Sequence, residues 1–261
     1  MKIIKIDLPA ELTSAVILPL ADLHLGDAHC NLDEIKKNID YIKNTPNAYT
    51  ILNGDLINNA TRNSVSDIYN EQLTPMQQLA RARELLEPIK DKILCITNGN
   101  HETRSWKMDG IDLMEILSRE LGIAEKYAAT SAMLFIKIGT NNARLKDVRG
   151  HKFLYTLYVK HGHGGGKKVG GKANILEAMS DVIDADIYVM SHVHLPAAFK
   201  ESYFRTDLAH QTVIAVDKLF VNTNAYLNYG GYGEAYGFSP ASIRAPKIYL
   251  SGAKKDFTAE L

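Results

Sequence analysis

Cysteine is nearly absent from this chain: Cys30 and Cys95 are the two thiols in 261 residues. Their spacing matches no thiolate metal site or redox motif, and one pair is no disulfide framework, so a reducing compartment fits. Net charge is lacking too. Thirty basic and thirty acidic side chains cancel, which removes a global basic surface as an advertisement for nucleic acid and leaves only local patches. Long apolar runs are missing: Ala15 to Leu20 follows Lys2, Lys5, Asp7 and Glu11, and is too short and too charged in its flanks for a signal peptide or a membrane span. There is no linker, repeat or low-complexity stretch. These absences lead us to expect a cytoplasmic protein with no membrane partner, built as a single domain over residues 1–261.

What remains is ordinary globular material, 46% hydrophobic and 23% charged. Lys2 to Asp7 alternates weakly, as an edge strand does. Ala15–Leu20, Ala48–Leu52 and Ile93–Thr97 are apolar runs of strand length. Between them, Asp33–Asn44 carries Ile35, Ile39 and Ile42 on one helical face, with Asn31 or Asp33 as cap. Asp67–Lys90 reads as helical, with Pro75 as a break or a helix start. Gly110–Leu121 reads as a helix stopped by Gly122. From Ser131 onward the texture changes. Ala132–Ile138, Lys152–Lys160, Ile187–Met190, Ala198–Thr206 and Gln211–Val221 read as strands around one helix, Ala173–Ile183, and Lys247–Ser251 reads as the last strand. Asn222–Ser239 is a Gly/Tyr-rich loop too long for a plain turn. Strand–helix alternation followed by strand-rich sequence predicts two packed sheets with helices outside.

Five apolar runs end in metal-capable residues: Asp22-x-His24, Gly54-Asp55, Gly99-Asn100-His101-Glu102, His161-Gly162-His163 and Ser191-His192-Val193-His194. Six of the nine histidines lie in these clusters. Open sheets gather ligand sites at the carboxyl ends of their strands, so residues distant in sequence can converge there. Alone, each cluster reads equally well as a polar turn. The donors are oxygen and nitrogen without sulfur, which suits Mn²⁺, Fe, Zn²⁺, Co²⁺ or Ni²⁺ better than a thiolate zinc or all-oxygen Ca²⁺ site. There are also too many of them for one ion. Two ions sharing a carboxylate need about seven protein ligands and can clamp an in-line displacement.

The series D-x-H, G-D, G-N-H-E, H-G-H and H-x-H, in that order over residues 22 to 194, resembles the calcineurin-like metallophosphoesterase superfamily. With its long helical insert after Asp55, the chain is most similar to bacteriophage and prophage members; a phage-encoded protein would act in the host cytoplasm. The resemblance implies an α/β fold, a four-layer α/β/β/α sandwich of two mixed sheets flanked by helices. It implies two divalent transition-metal ions, Mn²⁺ foremost, and a hydroxide bridging them that attacks a phosphate ester. Carried over by motif, Asp22, His24 and His194 would hold the first metal, Asn100, His161 and His192 the second, and Asp55 both. His101 would contact the scissile phosphate and protonate the leaving oxygen. Ser191 departs from the glycine the family usually has there; serine is small, and both histidines are kept.

Around these motifs the readings stay open. Glu102 either orients a ligand or His101, or simply starts a helix. Arg104 could reach a phosphate oxygen, and Asn58, Asn59 and Arg62 lie where the family often contacts substrate. His163-Gly164-Gly165-Gly166-Lys167-Lys168 reads as an anion cradle or a solvated loop, without the ending of a nucleotide P-loop. Tyr226, Tyr229, Tyr232, Tyr236 and Phe238 could stack on a base, pin their loop to the body or join two copies into a homo-oligomer. The function expected is a metal-dependent phosphoesterase acting on a phosphodiester or nucleotide-type substrate. The alternatives are a nuclease on DNA or RNA, and a non-catalytic scaffold of the same fold.

Overall fold

The computed structural model of the protein describes residues 1–62, 64, 66, 68–139, 152–166 and 168–261. In chain order its elements are β1 (Lys2–Asp7), β2 (Ser14–Ile17), α1 (Leu32–Asn44), β3 (Ala48–Asn53), α2 (Pro75–Leu86), β4 (Ile93–Thr97), α3 (Glu102–Asp109), α4 (Leu113–Glu120), β5 (Tyr127–Ala128), β6 (Ser131–Ile138), β7 (Phe153–Lys160), α5 (Val169–Glu177), β8 (Ile187–Met190), β9 (Ala197–Asp207), β10 (Thr212–Asn222), α6 (Gly231–Ala235), β11 (Lys247–Ser251) and β12 (Phe257–Glu260). Two six-stranded sheets result, ordered β1-β6-β7-β8-β10-β9 and β12-β11-β2-β3-β4-β5. Both are mixed: β7, β8 and β10 run parallel in the first, while β2, β3, β4 and β5 run parallel in the second.

Three apolar clusters give the layers. The largest lies between the sheets and takes residues from both: Ala132, Leu134, Ile136, Tyr155, Leu157 and Val159 from the first, Ile17, Ile51, Leu94, Ile248 and Leu250 from the second. Successive strand residues point to opposite faces, so the alternate residues Met133, Tyr158, Tyr188 and Phe220 turn outward and pack with Leu176 of α5. On the outer face of the second sheet, Leu18, Leu20 and Leu52 meet Ile35, Ile39 and Ile42 of α1, Leu79 and Leu86 of α2 and Leu117 of α4. The order helix, sheet, sheet, helix is the four-layer α/β/β/α sandwich expected from the sequence. Each isoleucine taken out of water on α1 contributes about 1.5–3 kcal/mol before entropy is counted.

Several boundaries differ from expectation, each for a local reason. The helix read over 67–90 begins at Pro75: Thr74 caps it, Gln77 closes a capping box, and proline at the first position has no N–H to leave unsatisfied. The stretch read as helical over 110–121 is preceded by α3, a separate helix ended by Gly110 in the left-handed conformation at φ 69°. α3 has no apolar stripe, and Glu102 is its one fully buried residue, so no periodicity betrays it. α5 starts at Val169, earlier than Ala173. The Gly/Tyr-rich loop holds the short helix α6, and β12 follows β11, so Lys247–Ser251 is not the last strand. Among the described residues no helix is long and apolar enough to cross a membrane.

Candidate metal centre

Because β2, β3 and β4 are parallel, their carboxyl ends lie along one edge of the second sheet; β7 and β8 do the same for the first. Asn53, at the end of β3, joins the two edges. Its amide nitrogen donates to Ser191 Oγ at 2.7 Å and to the Lys160 carbonyl at 3.1 Å, and its oxygen accepts from Thr97 Oγ1 at 2.9 Å. Ser191, where glycine was the expected residue, thus contributes a hydroxyl to the seam between the sheets. The loops that follow these five strands converge on one spot.

Three overlapping groups of side chains gather there, Asp22–His24–His194, His24–Asp55–His101 and Asp55–His161–His192, each with its ligand atoms within 4.8 Å of one another. In the first, His194 Nε2 lies 3.2 Å from Asp22 Oδ1 and 3.3 Å from His24 Nε2. In the third, His161 Nε2 lies 3.2 Å from Asp55 Oδ2, and Asn100 Oδ1 sits 3.1 Å from His161 Nε2 and 2.7 Å from His192 Nδ1. Asp55 belongs to both the second and third groups, and His101 Nε2 stands 3.8 Å from its Oδ2. Asp22, His24, Asp55 and His161 form a buried floor; Asn100 is exposed and His101, His192 and His194 are half-buried, so these four line the open side.

Two features fit this donor set to cations. Asp22 Oδ1 is fully buried and receives no hydrogen bond, a costly state for a carboxylate oxygen unless a charge faces it. His24 and His194 bring ring nitrogens within 3.3 Å of each other beside Asp22, so two imidazoles and a carboxylate share one small space. The ligand types, nitrogen and oxygen without sulfur, suit divalent transition metals.

The backbone is bent to present these groups. Of the seven described non-glycine residues with positive φ, five are Asp22, His24, Asp55, His192 and His194, and a sixth, Asn59, adjoins them. Such conformations cost on the order of 1–3 kcal/mol each and persist where the surrounding structure imposes them. Tight approach is imposed as well. A Cβ on Gly99 would lie 2.1 Å from Asp55 Oδ1, and Gly54, at φ +78°, would strike the Gly99 backbone at 2.5 Å.

Charge is distributed unevenly over the cluster. Burial pushes His24 down to about 3, with the neighbouring His101 acting in the same sense; burial also lowers His101 and His192. Burial opposes charge on His161 too, but the Asp55 carboxylate outweighs it and raises His161 to about 10. Burial likewise works against ionised Asp22 and Asp55, yet His194 beside Asp22 and His161 beside Asp55 hold both below the ordinary carboxylate range. Both carboxylates are therefore held ionised, the form that attracts cations.

Glu102 does more than start a helix. It opens α3, and its buried carboxylate accepts from the backbone N–H groups of Gly99 (2.9 Å), Asp55 (3.0 Å), Leu56 (2.7 Å) and Ile57 (3.2 Å). One side chain therefore ties the loop after β4 to the loop after β3. Burial and the charge of Asp55 push it up to about 7.

The remaining residues singled out in the sequence fall in different places. Asn58 is buried, with its side chain facing His24 and its carbonyl oxygen 2.6 Å from His101 Nδ1. Asn59 is buried and donates to the His101 carbonyl. Arg104 donates to the carbonyls of Asn58 (3.0 Å) and Asn59 (3.3 Å) and to Ser66 Oγ (3.3 Å), so it braces that loop. Arg62, His163 and Lys168 are exposed, and Lys167 lies outside the described residues. Tyr226 is fully buried, its N–H donating to the Asp22 carbonyl and its hydroxyl accepting from Asn38, so the start of the Gly/Tyr-rich loop is pinned beside the cluster. Tyr229 and Tyr236 are exposed. Asn53, Glu71 and Gln78 also shape the site, and no pattern in the sequence marks them.

No protein-family model matches the chain, and no curated protein matches it in sequence. Among solved structures it is similar to a conserved uncharacterised protein of Streptococcus pneumoniae TIGR4 described as a predicted phosphoesterase. The two share 12% identity at a TM-score of 0.39, over 95% of this chain and 99% of that one. A likeness this distant assigns no residue and no reaction; the site's own geometry has to carry both.

Proposed function

We propose that the protein is a metal-dependent phosphoesterase with two divalent transition-metal ions, Mn²⁺ first among them, acting on a phosphodiester or nucleotide-type ester. One observation carries the reading: Asp55 belongs to two of three overlapping ligand groups, in a buried floor that holds two carboxylates. Asp22, His24 and His194 would hold one ion and Asn100, His161 and His192 the other, with Asp55 between them. When bound, two such ions supply positive charge for a phosphate ester and lower the pKa of water beside them.

The chain's own groups divide the remaining work. Asn100, His192 and His194 rim the open side and set where an ester can approach. His101 turns Nδ1 toward the Asn58 carbonyl at 2.6 Å, which leaves Nε2 facing the cluster. From there it can hold a proton against a phosphate oxygen and pass it to the departing alkoxide. Arg104 and Glu102 keep the loops in register around it.

The test is a Mn²⁺-supplemented comparison of a phosphomonoester, a phosphodiester, cyclic nucleotides and single-stranded DNA, run on wild type and His101→Ala. We expect metal-dependent turnover of one class, lowered about 10²-fold or more by His101→Ala when the leaving group is a poor one and much less with a nitrophenolate. No metal-dependent turnover on any class contradicts the proposal. Equal turnover by the variant on a poor leaving group contradicts the role of His101.

A further inference from the structure

Three histidines of the cluster have an Nδ1 partner outside it, and they are held in different ways. His101 and His161 direct Nδ1 at main-chain carbonyls, those of Asn58 at 2.6 Å and Asn53 at 2.7 Å. A carbonyl oxygen can only accept, so Nδ1 carries a proton in both rings and Nε2 is the nitrogen left facing the cluster. His24 lacks a carbonyl. Its Nδ1 faces the side-chain oxygen of Asn58 at 3.3 Å, and a carboxamide can present either an acceptor or a donor.

What decides is behind Asn58. Its amide nitrogen donates to Glu71 Oε1 and lies 3.4 Å from Asp27 Oδ2. Two carboxylates can only accept, so they hold the NH₂ on their side and turn the oxygen toward His24. Glu71 is itself fixed. Its second oxygen accepts from Gln78, a fully buried side chain that also donates to the Leu73 carbonyl at 2.8 Å and accepts from Asn59 N at 2.8 Å.

We propose that Glu71, which lies outside every metal-capable cluster, is a positioning residue that sets the tautomer of His24 through Asn58. The inference rests on His24 being a metal ligand through Nε2. With the carboxylate in place the ring proton stays on Nδ1 and the Nε2 lone pair faces Asp22 and His194. With an amide in place of Glu71, its NH₂ would turn Asn58 over, Asn58 would donate to Nδ1, and the ring proton would move to Nε2, where it blocks a metal.

The experiment reads tautomers and metal separately. In metal-free, uniformly folded protein, ¹⁵N chemical shifts of the histidine rings should show His24 protonated at Nδ1 in the wild type and at Nε2 in Glu71→Gln. His101 and His161, held by main chain, should be unchanged. Calorimetric titration with Mn²⁺ alone should show one of two sites weakened about 10–100-fold in Glu71→Gln, the range typical of lost outer-sphere orientation. Glu71→Ala, which removes the carboxylate but inserts no NH₂ and leaves Asp27, should keep Nδ1–H and lose less. An Nε2–H tautomer of His24 in the wild type, or an unchanged Nδ1–H in Glu71→Gln, overturns the proposal. A wild type that binds no Mn²⁺ sinks the metal reading instead, and the ring shifts still decide the relay.

Discussion

At the scale of single residues, His161 carries the most distinctive consequence. Asp55 raises it to about 10 against the opposing effect of burial, so a cation bound through this ring, as proposed, would have to expel a proton. The sign follows: a histidine raised on folding binds its proton throughout the window from its ordinary value near 6.5 up to about 10, and metal competes with that proton over the same window. We expect Mn²⁺ binding near pH 7.5 to release about one proton from this ring and affinity to climb with pH toward 10. Titrations in buffers of different ionisation enthalpy measure the release; a proton count of zero would show that His161 is not displaced from its partnership with Asp55. The residues of the cluster were legible because each follows an apolar run, a pattern that survives without knowledge of the fold. Glu71 and Asn53 were not legible. Their roles exist only once the insert after β3 folds back on Asn58, and once the two sheets meet at Ser191, and neither contact leaves a mark in local sequence.

At the scale of elements, the site is a set of loops tied together at the ends of parallel strands, and Glu102 is the principal tie. Glu102→Ala would strand four buried backbone N–H groups, each costing about 1–3 kcal/mol when left without a partner; water entering the gap would recover part of that. We expect a loss of at least about 3 kcal/mol in denaturant unfolding. The loops after β3 and β4 should also lose amide-exchange protection while the sheets keep theirs. A loss within about 0.5 kcal/mol, the range of an ordinary surface change, would mean the loops hold their shape without it. Gly99→Ala probes the same junction from the other side, since its Cβ would displace the Asp55 carboxylate. It should weaken metal binding with little change in the helices. Element types read well from the sequence where one face is buried, as in α1 with Ile35, Ile39 and Ile42. α3 escaped because its residues Trp106 and Met108 are exposed, so no apolar stripe marks it.

At the scale of the whole molecule, two sheets bury one shared core and leave their carboxyl edges to build a single floor of opposed charges and strained backbone. Such a floor is poorly stabilised by itself and well stabilised by cations, so metal should raise the stability of the entire chain. At a free Mn²⁺ concentration about 100 times the dissociation constant, each occupied site adds about 2.7 kcal/mol. For a chain of this size that is roughly a 5–10 °C rise in Tm per site, reversed by a chelator. A Tm indifferent to Mn²⁺ would show that the cluster does not bind it in the folded state.

The central claim is that Asp55 lies between two metal ions, and electron paramagnetic resonance of the Mn²⁺-loaded protein tests it most directly. The account predicts two Mn²⁺ per chain with the spectrum of an exchange-coupled pair, and in Asp55→Asn the loss of that coupling together with weaker binding at both sites. One Mn²⁺ per chain with an isolated six-line signal, or two that do not sense each other in the wild type, would contradict it.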